Sequence, residues 1–233
     1  MGQQHRWGGL AALGGAVLFI FVFIFVGLVV GADTSIGGFP AVRAGRTIEN
    51  GVYLAALILS VVPLLVLDRS LRDSAPTMAT VASVIGIVGL AVLAAGALPH
   101  AATVGLADLY HAPNASGAER AMLVAVWQGN QGIVTMLLVT GLAIVPIGMI
   151  GLGLAMRRAP AFGVGLGWAT VGIGAIGLAA AVVLLVDPLS PIAVIGFFAV
   201  IAFNLIVGWK LYSLSRDVER MATAAVLTER SVG

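Results

Sequence analysis

Six segments of this chain are apolar for about 20 residues each and hold no Asp, Glu, Lys or Arg in their interiors. A segment of that length crosses a bilayer as a helix, because lipid offers the backbone no hydrogen-bond partner and the segment must satisfy its own N–H and C=O groups. The first runs from Gly9 to Val30, the second from Glu49 to Leu67, and the third from Met78 to Leu98. The fifth runs from Ala161 to Val186 and the sixth from Ile192 to Leu214. The fourth lies within Ala121–Met156, which is too long for one simple crossing. Its polar patch "VWQGNQG", Val126–Gly132, reads as a break. On that reading Glu119–Gln128 is an amphipathic lead-in, Trp127 sits at headgroup depth, and the span begins near Asn130.

The expected fold is therefore all-α, a polytopic bundle of six transmembrane helices over residues 1–214. A short amphipathic cytoplasmic tail follows over 215–233, where Leu214, Val218, Met221 and Ala225 recur at helical spacing. Composition agrees. Only 9% of the 233 residues are charged and 60% are hydrophobic, whereas a soluble domain carries about 25% charge. The alternating short strands of a membrane β-barrel are missing. The first apolar run exceeds the core of a signal peptide, so the first helix is expected to stay uncleaved despite "VGA" before Asp33. Pro63 and Pro146 fall inside helices and should bend them.

Positive charge orients the chain. With the N-terminus cytoplasmic, Arg6, Arg69, Arg72, Arg157, Arg158, Lys210, Arg216, Arg220 and Arg230 lie inside, and only Arg43, Arg46 and Arg120 outside. Both termini are thus expected in the cytoplasm. The Ala/Gly/Val/Arg-heavy usage points to a bacterial inner membrane. No Lys/Arg run with interleaved aromatics is present, so no nucleic-acid partner is expected. The bilayer is the obvious partner, with a homo-oligomer or a membrane complex as the further expectation. Cysteine is absent, which removes disulfides, thiol catalysis and Cys-ligated metals.

The stretch "LPHAATVGLADLYHAPNASGAER", Leu98–Arg120, carries most of the chemistry. His100, Asp108 and His111 could form a metal or catalytic cluster with Glu49 approaching from the second helix, because imidazole and carboxylate are metal ligands. Their spacing matches no specific metal motif, however, and polar residues must gather in loops when the walls face lipid. The stretch is read as a solvated outside loop, and whether a metal binds there stays open. Glu49 has a plain explanation in the first turn of a helix capped by Thr47. Gln128, Gln131 and Thr135 share a helical face, and Asn204 lies in the sixth helix. These amides either link helices or line a solute path, and the first reading is preferred. Asp187 in "DPLSP" shapes a tight turn. No histidine lies mid-membrane, so haem is not expected, and no other cofactor is.

"GIGAIG", Gly172–Gly177, matches a dinucleotide-binding pattern in form only, since no strand precedes it. With Gly163, Gly165 and Gly167 it reads as a small-residue face for close helix packing, as does "GLVVG", Gly27–Gly31. Asn114-Ala115-Ser116 is a glycosylation sequon. No internal repeat is evident.

The pattern "LAIVPIGMIGLGLAMRRAPAFGVGLGWATVGIG" resembles a bacterial six-helix integral membrane protein family of unknown function. In such proteins a helix with Pro-x-Gly ends in a basic R-x-x-P turn and the next helix begins Gly-rich. The matching positions are Pro146, Gly148, Arg157, Pro160, Gly165 and Gly167. "LVDPLSPIAVIGFFAVIAFNLIVGWKLYSLSR" is similar to actinobacterial members. The resemblance covers the C-terminal half and implies a six-helix fold, with no catalytic residues to carry over. The functional expectation is a non-enzymatic helix-packing subunit or interaction protein. The alternatives are a carrier or channel for a small neutral or lipidic solute, and an outward-facing enzyme using His100, Asp108 and His111.

Overall fold

The computed structural model describes residues 2–30 and 35–232, apart from the side chains of Val30, Glu219 and residues 221–232. Among these there is no strand. The helices are α1 (Gly2–Phe25, continued by a π-helical turn Val26–Val30), α2 (Phe39–Leu71), α3 (Pro76–Ala95), α4 (Ala97–Tyr110), α5 (Gly117–Met156), α6 (Val164–Val186) and α7 (Ala193–Val232). Six spans are long and apolar enough to cross a membrane, with α3 and α4 counting as one from Pro76 to Tyr110.

The spans form a ring. Each packs on its neighbours in sequence, and α7 closes the ring on α1. Close packing comes from glycines on the inner faces. A Cβ at Gly148 of α5 would lie 2.7 Å from the amide nitrogen of Gly86 and 2.8 Å from the carbonyl oxygen of Ala82, both on α3. A Cβ at Gly9 of α1 would lie 2.8 Å from the carbonyl oxygen of Gly208 on α7. In lipid, helices gain nothing from burying oil against oil, so backbones that can approach this closely gain dispersion contacts instead. Of the α6 glycines, Gly167, Gly174 and Gly177 pack in this way, while Gly165 and Gly172 meet nothing within 4 Å. Gly27 also meets nothing, and Gly31 and the "VGA" site lie outside the described residues.

The bundle centre is apolar, with Leu57, Leu67, Val139, Leu142, Leu152, Val200 and Val207 all buried. Asn204 is one of the few polar residues buried there, with Ser60 and Ser83. Its Nδ2 donates to Ser60 Oγ at 3.2 Å and to the Val200 carbonyl at 3.0 Å, and Ser60 Oγ donates to the Ala56 carbonyl at 2.8 Å. The amide thus ties α7 to α2, a link worth about 0.6–2 kcal/mol in lipid.

Three boundaries differ from the sequence expectation, all at one end of the bundle. First, α2 begins at Phe39, with Pro40 in its first turn, and not near Glu49. Thr47 is not a cap: its hydroxyl donates to the Arg43 carbonyl at 3.0 Å inside the helix. Second, the stretch from Leu98 is helix rather than loop as far as Tyr110, and the true link is 111–116. Pro113 disfavours helix at Ala112 and stops α4 there. Third, α5 is unbroken through Val126–Gly132. Ser116 starts it with a capping box: its Oγ accepts from the Glu119 amide, and the Glu119 carboxylate accepts from the Ser116 amide at 2.7 Å.

The consequence is a cap at one end of the bundle. At 1.5 Å per residue, the 33 residues of α2 and 40 of α5 span about 50 and 60 Å, against about 30 Å of hydrocarbon. Their surplus turns pack with α4 around a second small core of Ile36, Phe39, Ala107, Leu123 and Trp127. Trp127 is only 5% exposed and meets Phe39 edge-on at 5.4 Å, so it packs in the core of the cap. At the other end of the chain, α7 passes residue 214 without a break, and most side chains of the 215–233 tail lie outside the described residues.

Candidate functional site

Inside the ring, at the cap end, lies a cavity of about 460 Å³. Every span except α6 contributes to it. Phe19, Val22 and Phe23 come from α1, Glu49, Asn50 and Tyr53 from α2, Leu93 from α3, Ala97 and His100 from α4, Val134 and Leu138 from α5, and Phe197 from α7. Its volume falls in the range of small-molecule sites, about 300–1,000 Å³. Phe19, Tyr53 and Phe197 meet edge-on or tilted at 6.0–6.4 Å and form an aromatic wall. Toward the middle of the bundle the packing closes. Two turns below the aromatic wall lies a second, much smaller void of about 10 Å³, between Ser60, Leu90, Val145, Met149 and Asn204. The larger cavity is a cup at one end of the bundle.

The polar groups sit at one end of the cup. Lengthening α2 places Glu49 in mid-helix, and Tyr53 four residues on shares its face. Glu49 Oε2 accepts from Arg46 Nη1 at 2.9 Å, with both side chains less than one-fifth exposed. Asn50 Nδ2 donates to the Ala97 carbonyl at 3.3 Å and joins α2 to α4. Asn130 Nδ2 donates to the Pro99 carbonyl at 2.7 Å and joins α5 to α4. These two amides hold α4 across the mouth, which brings His100 to the cup and within electrostatic reach of Glu49 and Arg46. Among the described residues, the hydroxyl of Tyr53 and Nε2 of His100 are buried and have no hydrogen-bond partner. Most buried polar atoms are paired, so two unpaired ones on one cavity stand out.

The four residues singled out near the Leu98–Arg120 stretch are therefore divided. Glu49 and His100 line the cup together. Asp108 lies elsewhere on α4 and takes a two-pronged ion pair from Arg43 of α2, at 2.6 and 3.2 Å. Both partners are about half exposed, so the pair contributes at most about 1 kcal/mol. His111 caps the end of α4, with Nε2 3.2 Å from the Ile36 carbonyl and its ring edge-on to Tyr110. Among the described residues no three His, Asp or Glu side chains come close enough to hold a metal. Gln128 is exposed on α5, Gln131 is half-buried and accepts from Thr135 through its carbonyl at 2.9 Å, and neither lines the cup.

Tyr53, Asn50 and the phenylalanines went unnoticed in the sequence. The usable signal was Glu49-x-x-x-Tyr53, which becomes a shared face only once the helix is known to start at Phe39. Fold and cavity together define a class: a multi-pass α-helical membrane protein of six spans with an internal cup at one end. No known protein family, curated protein or solved structure matches the chain.

Proposed function

We propose that this protein binds a lipidic solute in the cup, as a carrier or receptor on the outer face of a bacterial inner membrane. The observation that carries the reading is the cavity of about 460 Å³, apolar along most of its wall and polar at one end only. Its polarity repeats the layering of a lipid leaflet. The polar residues Glu49, Asn50 and His100 lie toward the cap, and Phe19, Leu93, Leu138 and Phe197 lie toward the bundle centre. An amphipathic molecule would enter in the orientation it already has in the membrane. The arginine asymmetry supports cytoplasmic termini, which turns the cup outward. A membrane-soluble alkyl diazirine is expected to label cup residues such as Phe19 and Leu138. Val134→Trp, which narrows the cup, should reduce that labelling without lowering Tm. Labelling spread evenly over the lipid-facing helices, or unchanged by Val134→Trp, would refute the reading.

A second role, assembly with another copy or a membrane partner, is favoured by one observation. α6 takes no part in the cup, and Gly165 and Gly172 lie open on it beside the exposed Trp168 and Ile176. That small-residue face is available for another helix. The protein should then run above its monomer mass in mild detergent, and Gly172→Leu should return it to a monomer. A wild-type monomer without a co-purifying partner would remove this role.

A further inference from the structure

We infer that the cup selects its ligand by one neutral hydroxyl group, held between Tyr53 Oη on α2 and His100 Nε2 on α4, and so takes long-chain alcohols ahead of acids and amines of the same length. The inference rests on the reading of the cup as a binding site and names the ligand class for it.

Two other polar atoms at this end have partners: Glu49 Oε2 accepts from Arg46, and Asn50 Nδ2 donates to the Ala97 carbonyl. Among the described residues, Tyr53 Oη and His100 Nε2 are the two buried polar atoms without a partner on residues that line this cavity. Groups of this kind are costly to leave unmatched, so a ligand that satisfies both gains more than one that satisfies neither. A tyrosine hydroxyl can donate or accept. A neutral imidazole Nε2 donates in one tautomer and accepts in the other. An alcohol has one donor and two acceptor positions, so it can bridge the pair with either tautomer.

Charge argues the same way. The Glu49–Arg46 pair is nearly buried and neutral as a unit. A carboxylate head would be brought toward Glu49 with Arg46 already committed. An ammonium head would compete with Arg46 for Glu49 and leave a cation with no partner. Either arrangement leaves a poorly compensated charge in a low-dielectric site, which is disfavoured. A neutral head leaves the pair undisturbed, and the aromatic wall of Phe19 and Phe197 covers the chain.

The test measures binding to the full chain in lipid nanodiscs. The probes are radiolabelled hexadecane, hexadecanol, palmitate and hexadecylamine. Hexadecanol should bind most tightly, and Tyr53→Phe and His100→Leu should each weaken it by roughly three- to tenfold. Hexadecane, which has no head, should bind both variants as it binds the wild type, which shows that the cup is intact in them. Equal binding of hexadecanol and hexadecane, tighter binding of palmitate or hexadecylamine, or hexadecanol binding unchanged in Tyr53→Phe would each overturn the hydroxyl assignment while the cup remained a lipid site. No saturable binding of any probe, hexadecane included, would overturn the cup itself.

Discussion

Gly148→Ala is expected to lower stability by about 1–3 kcal/mol, the usual cost of overpacking a tight interior, and Gly148→Leu to prevent folding. The added carbon would lie 2.7 Å from the Gly86 nitrogen and 2.8 Å from the Ala82 carbonyl oxygen. Both are backbone atoms within a helix, so no side chain can swing aside. The only relief is to move α3 away from α5 along a seam that also includes Gly89, Gly141 and Gly151. Gly132→Ala, on the same helix, is the matched control, since nothing lies within 4 Å of that position. There the helix preference for alanine, up to about 1 kcal/mol, should leave stability equal or slightly raised. Thermal or denaturant unfolding in a mild detergent compares the two. If Gly148→Ala unfolds with the wild type, the α3–α5 seam is not as close as described.

Trp127→Ala is expected to loosen the cap selectively. Removing a buried tryptophan costs about 3–5 kcal/mol, and Trp127 packs edge-on to Phe39 within a core of only a few residues. The six-span ring has its own, larger core, so the loss should stay local. Hydrogen exchange should rise along α4, the first turns of α5 and the first turns of α2, with the deep spans still protected. Because α4 carries His100 across the cup mouth, ligand binding should fall with it. A tryptophan that merely sat among lipid headgroups would give neither effect. Unchanged exchange in α4 would therefore restore the interfacial role expected from sequence.

The six spans were legible because their cause is local. Uncharged apolar runs of bilayer length can only become helices, whatever surrounds them. The cap was not legible, although one of its signals was in plain view. Ser116-x-x-Glu119 is a capping box and marks the start of α5. Reading Glu119 as the start of an interfacial lead-in hid that signal. The two polar patches, Val126–Gly132 and the stretch after Leu98, look like loops if every helix is assumed to end at the membrane surface. They are helical because the turns beyond the bilayer pack on one another through Phe39, Leu123 and Trp127. No window of sequence contains all three.

The candidate site divides in the same way. Glu49 and His100 drew attention as ionisable groups near span ends, and both line the cup. Asp108 and His111 drew equal attention and serve the cap, through Arg43 and the Ile36 carbonyl. Spacing along the chain could not separate these pairs, because the direction in which α4 presents each residue depends on what α4 packs against.

The sequence by itself determined the solvent of this protein, its helical class and the number of its spans, since these follow from the cost of burying backbone and charge in lipid. Only the tertiary structure decided that α2, α4 and α5 build a cap, that the ring leaves a cup beneath it, and that Tyr53 and His100 reach it together. Those features depend on which surfaces of distant segments fit at van der Waals distance, and that fit is a property of the packed chain and not of any stretch of it.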